Sequence, residues 1–211
     1  MHSRYICMNR RRLLQVCSGL TASAFAGCSN RFGSTEMDEH TTWGNSGDVQ
    51  TIPEYDATHH PIVSDTQKLE QLTHEATNRA RIAHSREPLS YDSELADIAR
   101  LHSRDMANHD FFGHENQNGE LHVSRLQKYG YNSTVVYENL YSLISPEFDY
   151  SLETLAQMAV DWWLDSPSHR RALLKEHNTE EGIGVYVTDE PRIYWTAELS
   201  KYDVDRQTPT Q

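Results

Sequence analysis

The apolar positions along this chain change their period several times, and each change marks an element. Between about 65 and 83, Leu69, Leu72, Ala76 and Ala80 or Ala83 recur at helical spacing, behind Ser64 and Asp65 as candidate caps. Pro88 closes that region. A second helix is predicted from about Asp92 to Asn108, with Leu95, Ile98, Ala99, His102 and Met106 on one face. A polar loop opens at Phe111-Phe112-Gly113-His114 and runs through Gly119, and a short helix from about Val123 to Tyr129 stops at Gly130. From Thr134 to Ser142 the period drops to two, which predicts a strand. Ser151 caps a third long helix reaching Trp162 and Trp163. Ser166-Pro167 breaks it, and Pro167 starts a short helix through Leu174. Gly182 to Thr188 and Ile193 to Ser200 alternate as two further strands about a turn at Asp189-Glu190-Pro191-Arg192. Helices flanking a small, mainly antiparallel sheet make this an α+β domain rather than a doubly wound one.

Outside 65–201 the periodicity is lost. Asn9-Arg10-Arg11-Arg12-Leu13-Leu14-Gln15 resembles a twin-arginine export signal within 1–27, and Phe25-Ala26-Gly27-Cys28 resembles a lipobox, with Phe25 where Leu or Val is usual. Residues 28–64 read as a polar, acidic tether and 202–211 as a polar tail. The expected location is extracytoplasmic, anchored to a membrane surface through lipid on Cys28, or secreted. No run of about 20 apolar residues predicts a spanning helix.

Composition narrows the partners. The 211 residues carry 19 bases and 31 acids, a net charge of −12. Four of the bases lie in the first 27 residues, where there is no acid, so the remainder stands at −16 (15 bases against 31 acids). Such a surface repels phosphate backbones, so no nucleic-acid partner is expected. Lys68, Lys128, Lys175 and Lys201 are the only lysines. An acid-rich, lysine-poor chain suits concentrated salt, and a halophilic source is expected. All three cysteines, Cys7, Cys17 and Cys28, precede the domain. The domain therefore has no disulfide, no thiolate metal site and no cysteine nucleophile.

The chain lacks a Gly-rich phosphate loop, a dinucleotide fingerprint and a Gly-x-Ser-x-Gly elbow. His74-Glu75-Ala76-Thr77-Asn78 begins like a zincin helix but places Asn78 where the second His must sit. Three residues stay as candidates. His114 follows two aromatics able to anchor its loop. Glu138 alternates with Val136 and Leu140, and an acid on an apolar face is costly unless paired. His169 sits in the first turn after Ser166-Pro167. Two of these with neutral imidazole and carboxylate donors would suit a divalent ion. The blander alternatives are a loop cap for His114, pairing of Glu138 with an arginine such as Arg170, and a backbone bond for His169. His102 reads as a core histidine, His109 and His122 as surface residues, and His59-His60 as solvated. Trp162, Trp163 and Trp195 read as core, and Asn132-Ser133-Thr134 as a glycosylation sequon.

Four segments, in order, carry a resemblance: Ala99 to Ala107 with Phe111-Phe112-Gly113-His114; Tyr137-Glu138-Asn139-Leu140; Trp163-Leu164-Asp165-Ser166-Pro167-Ser168-His169-Arg170; and Gly182-Ile183-Gly184-Val185 with Tyr194-Trp195-Thr196. Together they resemble the CAP superfamily (SCP-like; cysteine-rich secretory proteins, antigen 5 and pathogenesis-related proteins), most closely its cysteine-free prokaryotic branch. The resemblance implies an α-β-α sandwich whose cleft holds two His and two Glu. The first His falls on His114 and the first Glu on Glu138. Ser166 and Tyr194 stand where the second Glu and second His would be, so two of four are replaced. The prokaryotic pattern brings His169 toward the cleft, with Ser166 and Tyr194 lining it.

Three readings of function stay open at this level. One is a surface-displayed module whose cleft binds a divalent metal such as zinc, or a small apolar or glycan ligand. The second is a metal-assisted extracellular hydrolase, with His114 and His169 holding the ion and Glu138 as general base. The third is a structural envelope protein without a ligand.

Overall fold

A computed structural model describes residues 49–53, 65–131, 133, 136–144, 150–189 and 192–201. The export-signal region, Cys28, His59-His60, most of the expected tether, the polar tail, and Asn132 and Thr134 of the sequon lie outside the described residues.

The elements follow the sequence pattern closely. They are α1 (Thr66–Ala83), β1 (Ser90–Tyr91), α2 (Ser93–Asn108), α3 (His122–Lys128), β2 (Val136–Ile144), α4 (Leu152–Asp165), α5 (Pro167–Leu173), β3 (Glu180–Val187) and β4 (Arg192–Ser200). Side-chain caps start the three long helices. Asp65 accepts from Lys68 N at 2.8 Å, Asp92 from Glu94 and Leu95 N, and Ser151 from Thr154 N. α3 ends in a Schellman motif: Gly130 has φ +77, its N–H meets Gln127 O, and Tyr131 N–H meets Leu126 O.

The strands form one sheet in the order β1-β3-β4-β2, with β1 parallel to β3 and the other pairs antiparallel. The two-residue β1 is too short for a periodic signal, and the pattern misses it. On one face, α1, α4 and α5 bury Leu69, Leu72, Ala76, Leu155, Val160 and Trp163 against Ile183, Val185, Trp195 and Ala197. On the other face lie α2 and α3, with Leu95, Ile98, Leu126, Tyr131 and Val136 in one cluster and Met106, Leu140 and Tyr194 in another. This is an α-β-α sandwich.

α2 rides unusually close to the sheet. A Cβ on Gly182 or Gly184 would fall on the α2 backbone at Ala96 or Arg100. Ser103 Oγ uses that proximity, lying 2.9 Å from Gly184 O and 2.8 Å from Thr196 Oγ1. Residues 49–53, within the segment read as tether, lie against the same side. Gln50 N donates to Lys128 O at 2.9 Å, and Ile52 packs on the cluster of Leu95 and Leu126. Trp163 and Trp195 are core, but Trp162 is 40% exposed and stacks with Tyr141 and His169. It falls on the solvent side of α4 because its neighbour Trp163 takes the inward position.

Candidate functional site

Glu138 and Glu198 are register partners on β2 and β4, so their side chains leave the same sheet face beneath α2 and α3. Both carboxyls are wholly buried. Two like charges at this separation in an apolar layer cannot both be ionised cheaply. Arg125, from α3, resolves the conflict in favour of Glu138. Its Nη2 donates to Glu138 Oε2 and stands 3.9 Å from Glu198 Oε1. Its Nη1 donates to His114 O at 2.8 Å and to Glu120 O at 2.9 Å, so one guanidinium also ties down the loop before α3.

The second Glu138 oxygen, Oε1, accepts from His114 Nδ1 at 2.7 Å. His102, on the inward face of α2, donates Nε2–H to Gly113 O at 3.0 Å and lies 3.8 Å from Glu138 Oε2. Phe111 packs beside Met106, Leu140 and Tyr194. The loop is therefore held through Phe111, Gly113 and His114, which leaves the His114 side chain 46% exposed at a fixed place.

The electrostatics follow. Burial alone would raise the Glu138 carboxyl, but the His114 hydrogen bond and the Arg125 charge, with His102 and His122 beyond, hold it down at about 2. Glu198 moves the other way. Burial and the Glu138 charge opposite push it well above the ordinary carboxyl range, and a hydrogen bond to the Glu138 carboxyl raises it further. Burial lowers His102 to about 4, so its ring is neutral. His122 is lowered by burial as well, with Nδ1 shielded from solvent; it is not the surface residue its position suggested.

Of the sequence candidates, His114 and Glu138 come together directly. The arginine on Glu138 is Arg125; Arg170 instead reaches His84 Nε2 at 2.9 Å and Leu164 O. His169 lies on α5, which meets β2 through Asn139, one residue along from Glu138 and on the opposite sheet face. Its ring stacks on Trp162 at 4.8 Å, its carbonyl accepts from Asn139, and its Nδ1 is buried without a partner among the described residues. Burial first, and the nearby His114 second, lower its pKa. Ser166 sits at the α4–α5 junction with its Oγ 3.2 Å from Ser168 Oγ. Tyr194 is buried in the small core with Met106 and Leu140, under Arg192.

His114 Nδ1 and both Glu138 oxygens are engaged, which leaves the other ring nitrogen of His114 as the open donor atom of the pair. Among the described residues, no three His, Cys, Asp or Glu side chains converge to hold a metal. Sequence reasoning also missed Arg125 and Glu198. The two glutamates occupy equivalent alternating positions on adjacent strands, a signal that needs the strand register to be seen.

A family model described as CAP, cysteine-rich secretory protein family, matches residues 74–199. An uncharacterized membrane protein, YlbC, of Bacillus subtilis (strain 168) is 29% identical over 126 residues, covering 59% of this chain. The match spans 32% of that relative, so the chain corresponds to about a third of its length. Among solved structures, an outer surface protein from Borrelia burgdorferi aligns with a TM-score of 0.56 at 20% identity, over 66% of this chain and 96% of that one. An extracellular protein containing an SCP domain from Bacillus anthracis str. Ames aligns with a TM-score of 0.54 at 26% identity, over 71% and 45%.

Proposed function

The chain belongs to the CAP family of cysteine-rich secretory proteins, and from that premise we propose that it is a ligand-binding module displayed outside the cytoplasm. It is exported by its N-terminal signal and held at a membrane surface through Cys28, with His114 as the ligand-facing side chain. The observation that carries this reading is the state of Glu138. Its carboxylate is wholly buried with both oxygens engaged, so it has no face on which to activate water. Its role is orientation. An ionised carboxylate only accepts, so His114 Nδ1 donates to it, and in the neutral ring Nε2 is the acceptor that remains. That group, two residues after the half-exposed Phe112, suits a small apolar or glycan ligand bearing one donor. The similarity to an extracellular SCP-domain protein supports the location.

The test pairs binding with turnover on the full chain. A lipid and glycan panel is read by ligand-observed NMR, and ester and peptide substrates are assayed beside it. The expected result is a ligand lost in His114→Ala with no substrate turned over. Hydrolysis abolished by the same variant would replace this reading with an enzymatic one.

A further inference from the structure

The His114 loop depends on α3, and α3 is weakly built. It has seven residues, too few to hold a helix by themselves. Within it only Arg125 and Leu126 are buried, and no side chain caps its N-terminus. Toward α2 it borders a cavity of about 260 Å³, lined in part by Ile98, His102, Arg125 and Lys128, so packing on that side is incomplete. Yet α3 carries the guanidinium that holds the site together. Arg125 donates to His114 O, Glu120 O and Glu138 Oε2, so a shift of α3 is passed to the loop and to the carboxylate at once.

Residues 49–53 supply what α3 lacks. Gln50 N–H donates at 2.9 Å to Lys128 O, a carbonyl of the last helical turn that has no partner within the helix. Ile52 is half-buried and packs on the cluster of Leu95, Ile98, Leu126, Tyr131 and Val136, through which Leu126 anchors α3. Val49 lies over the end of the helix, where a Cβ on Gly130 would fall 2.7 Å from Val49 Cγ1. Pro53 lines the cavity beside Tyr129. The contacts of Val49, Gln50, Ile52 and Pro53 thus all fall on α3, its C-terminal turn or the cluster beneath it. A solvated tether would have no such registration.

We propose that residues 49–53 are a strap that positions His114, with Gln50 and Ile52 holding α3 on its cluster and α3 fixing the loop through Arg125. Val49 then belongs to the folded domain, upstream of the expected start at 65. Ile52 acts through Arg125 and is a positioning residue. The inference rests on the proposed function only for what His114 faces; where that ring sits is measured without any ligand.

The experiment uses the full chain, labelled for NMR. Two readouts are taken: amide hydrogen exchange, and the ring nitrogen shifts of His114 in mildly alkaline buffer. The parent should show His114 as one tautomer with the proton on Nδ1, as its bond to Glu138 requires. Ile52→Ala removes the apolar contact, and Gln50→Pro removes the N–H from an exposed position without touching the core. Both are expected to speed exchange at Asn116, Arg125 and Tyr131 at least ~10-fold relative to the core amides of α1 and α4. Both should also turn the His114 signal into a mixture of tautomers, and Ile52→Leu should restore the parent behaviour. Should Ile52→Ala fail to fold, Gln50→Pro alone decides. Three results would overturn the proposal: exchange and ring shifts unchanged, exchange raised equally across the domain, or α3 loosened while the His114 tautomer stays fixed. Loss of ligand binding without these changes would bear on the ligand reading alone.

Discussion

Glutamine at position 138 and glutamine at position 198 are nearly the same substitution in shape, yet they are expected to act in opposite directions. Glu138→Gln removes the charge that the buried Arg125 guanidinium faces, and breaking one side of a buried pair costs about 3–5 kcal/mol. The titration gives a second route to the magnitude. A carboxyl displaced from 4.5 to about 2 contributes roughly 3 kcal/mol at neutral pH. Burial and the Glu138 charge drive Glu198 toward its neutral form, so Glu198→Gln removes a group disfavoured as an anion and puts a neutral one of the same shape in its place. It also removes a carboxyl whose folded pKa is raised, so the change is neutral to stabilising. The signs separate along pH. Glu138 is depressed, so its contribution is present above 4.5 and is lost as pH falls through about 2. Glu198 is raised, so its contribution is present below 4.5 and is lost as pH climbs toward its higher folded value. Urea unfolding of the full chain from pH 2 to 8, read as midpoint at constant m, measures both. Equal costs for the two variants at pH 7 would refute the division of roles between the carboxyls.

Other outcomes follow from the same structure. Gly184→Ala drives a methyl into the α2 backbone at Arg100 and should cost at least ~1–3 kcal/mol, seen as a lower thermal midpoint; an unchanged midpoint would mean α2 is not held at that distance. With no three His, Cys, Asp or Glu side chains converging among the described residues, calorimetric titration of Zn²⁺ should show no site tighter than about millimolar that depends on His114 and His169; a tight one-to-one site lost in both alanine variants would refute that expectation. Cys28→Ser should shift the protein from the membrane fraction to the soluble one, and continued membrane partitioning would remove the lipid-anchor reading. Raising KCl from about 0.1 to 1 M shortens the screening length from ~10 to ~3 Å and should raise the urea midpoint by relieving repulsion among surface acids; a falling midpoint contradicts the halophilic reading.

How far the sequence reaches depends on whether the signal is local. Helix limits were legible because caps and periodicity sit within one turn, as at Asp92 with Leu95, Ile98 and Ala99. His114 and Glu138 were legible because an imidazole after an aromatic anchor and an acid between two strand apolars are unusual in their own segments. Arg125 was not, because on a helix as short as α3 an arginine looks like any solvated base. His122 and Glu198 were hidden for the same reason, since their burial comes from elements 16 and 60 residues from Glu138 that pack around it. His169 was legible as a histidine at a helix start, but the side of the sheet it occupies follows from the crossover of α4 and α5.

The buried charges share a geometry that bears on a domain without cysteine. Arg100 on α2 donates to Glu70 on α1 at 2.8 Å, joining helices on opposite sheet faces around β3, whose Val185 N–H also reaches Glu70. His74 on α1 reaches Glu181 on β3 at 2.7 Å. Arg81, fully buried on α1, donates to the carbonyls of Glu87, Leu173 and Lys175 and so fastens the end of α5. Arg125 binds α3 and the His114 loop to β2. Each pair spans two elements, as a disulfide would. Buried pairs add little net stability over apolar packing, but each penalises any arrangement that strands a charge, so their product is registration of the layers. Salt sharpens the distinction. Exposed pairs such as Arg86 with Glu176, 3.9 Å apart at the surface, are screened at high ionic strength, whereas the interior pairs are not. Screening therefore acts on the surface acids and leaves nearly untouched the interior charges that hold His114 in place.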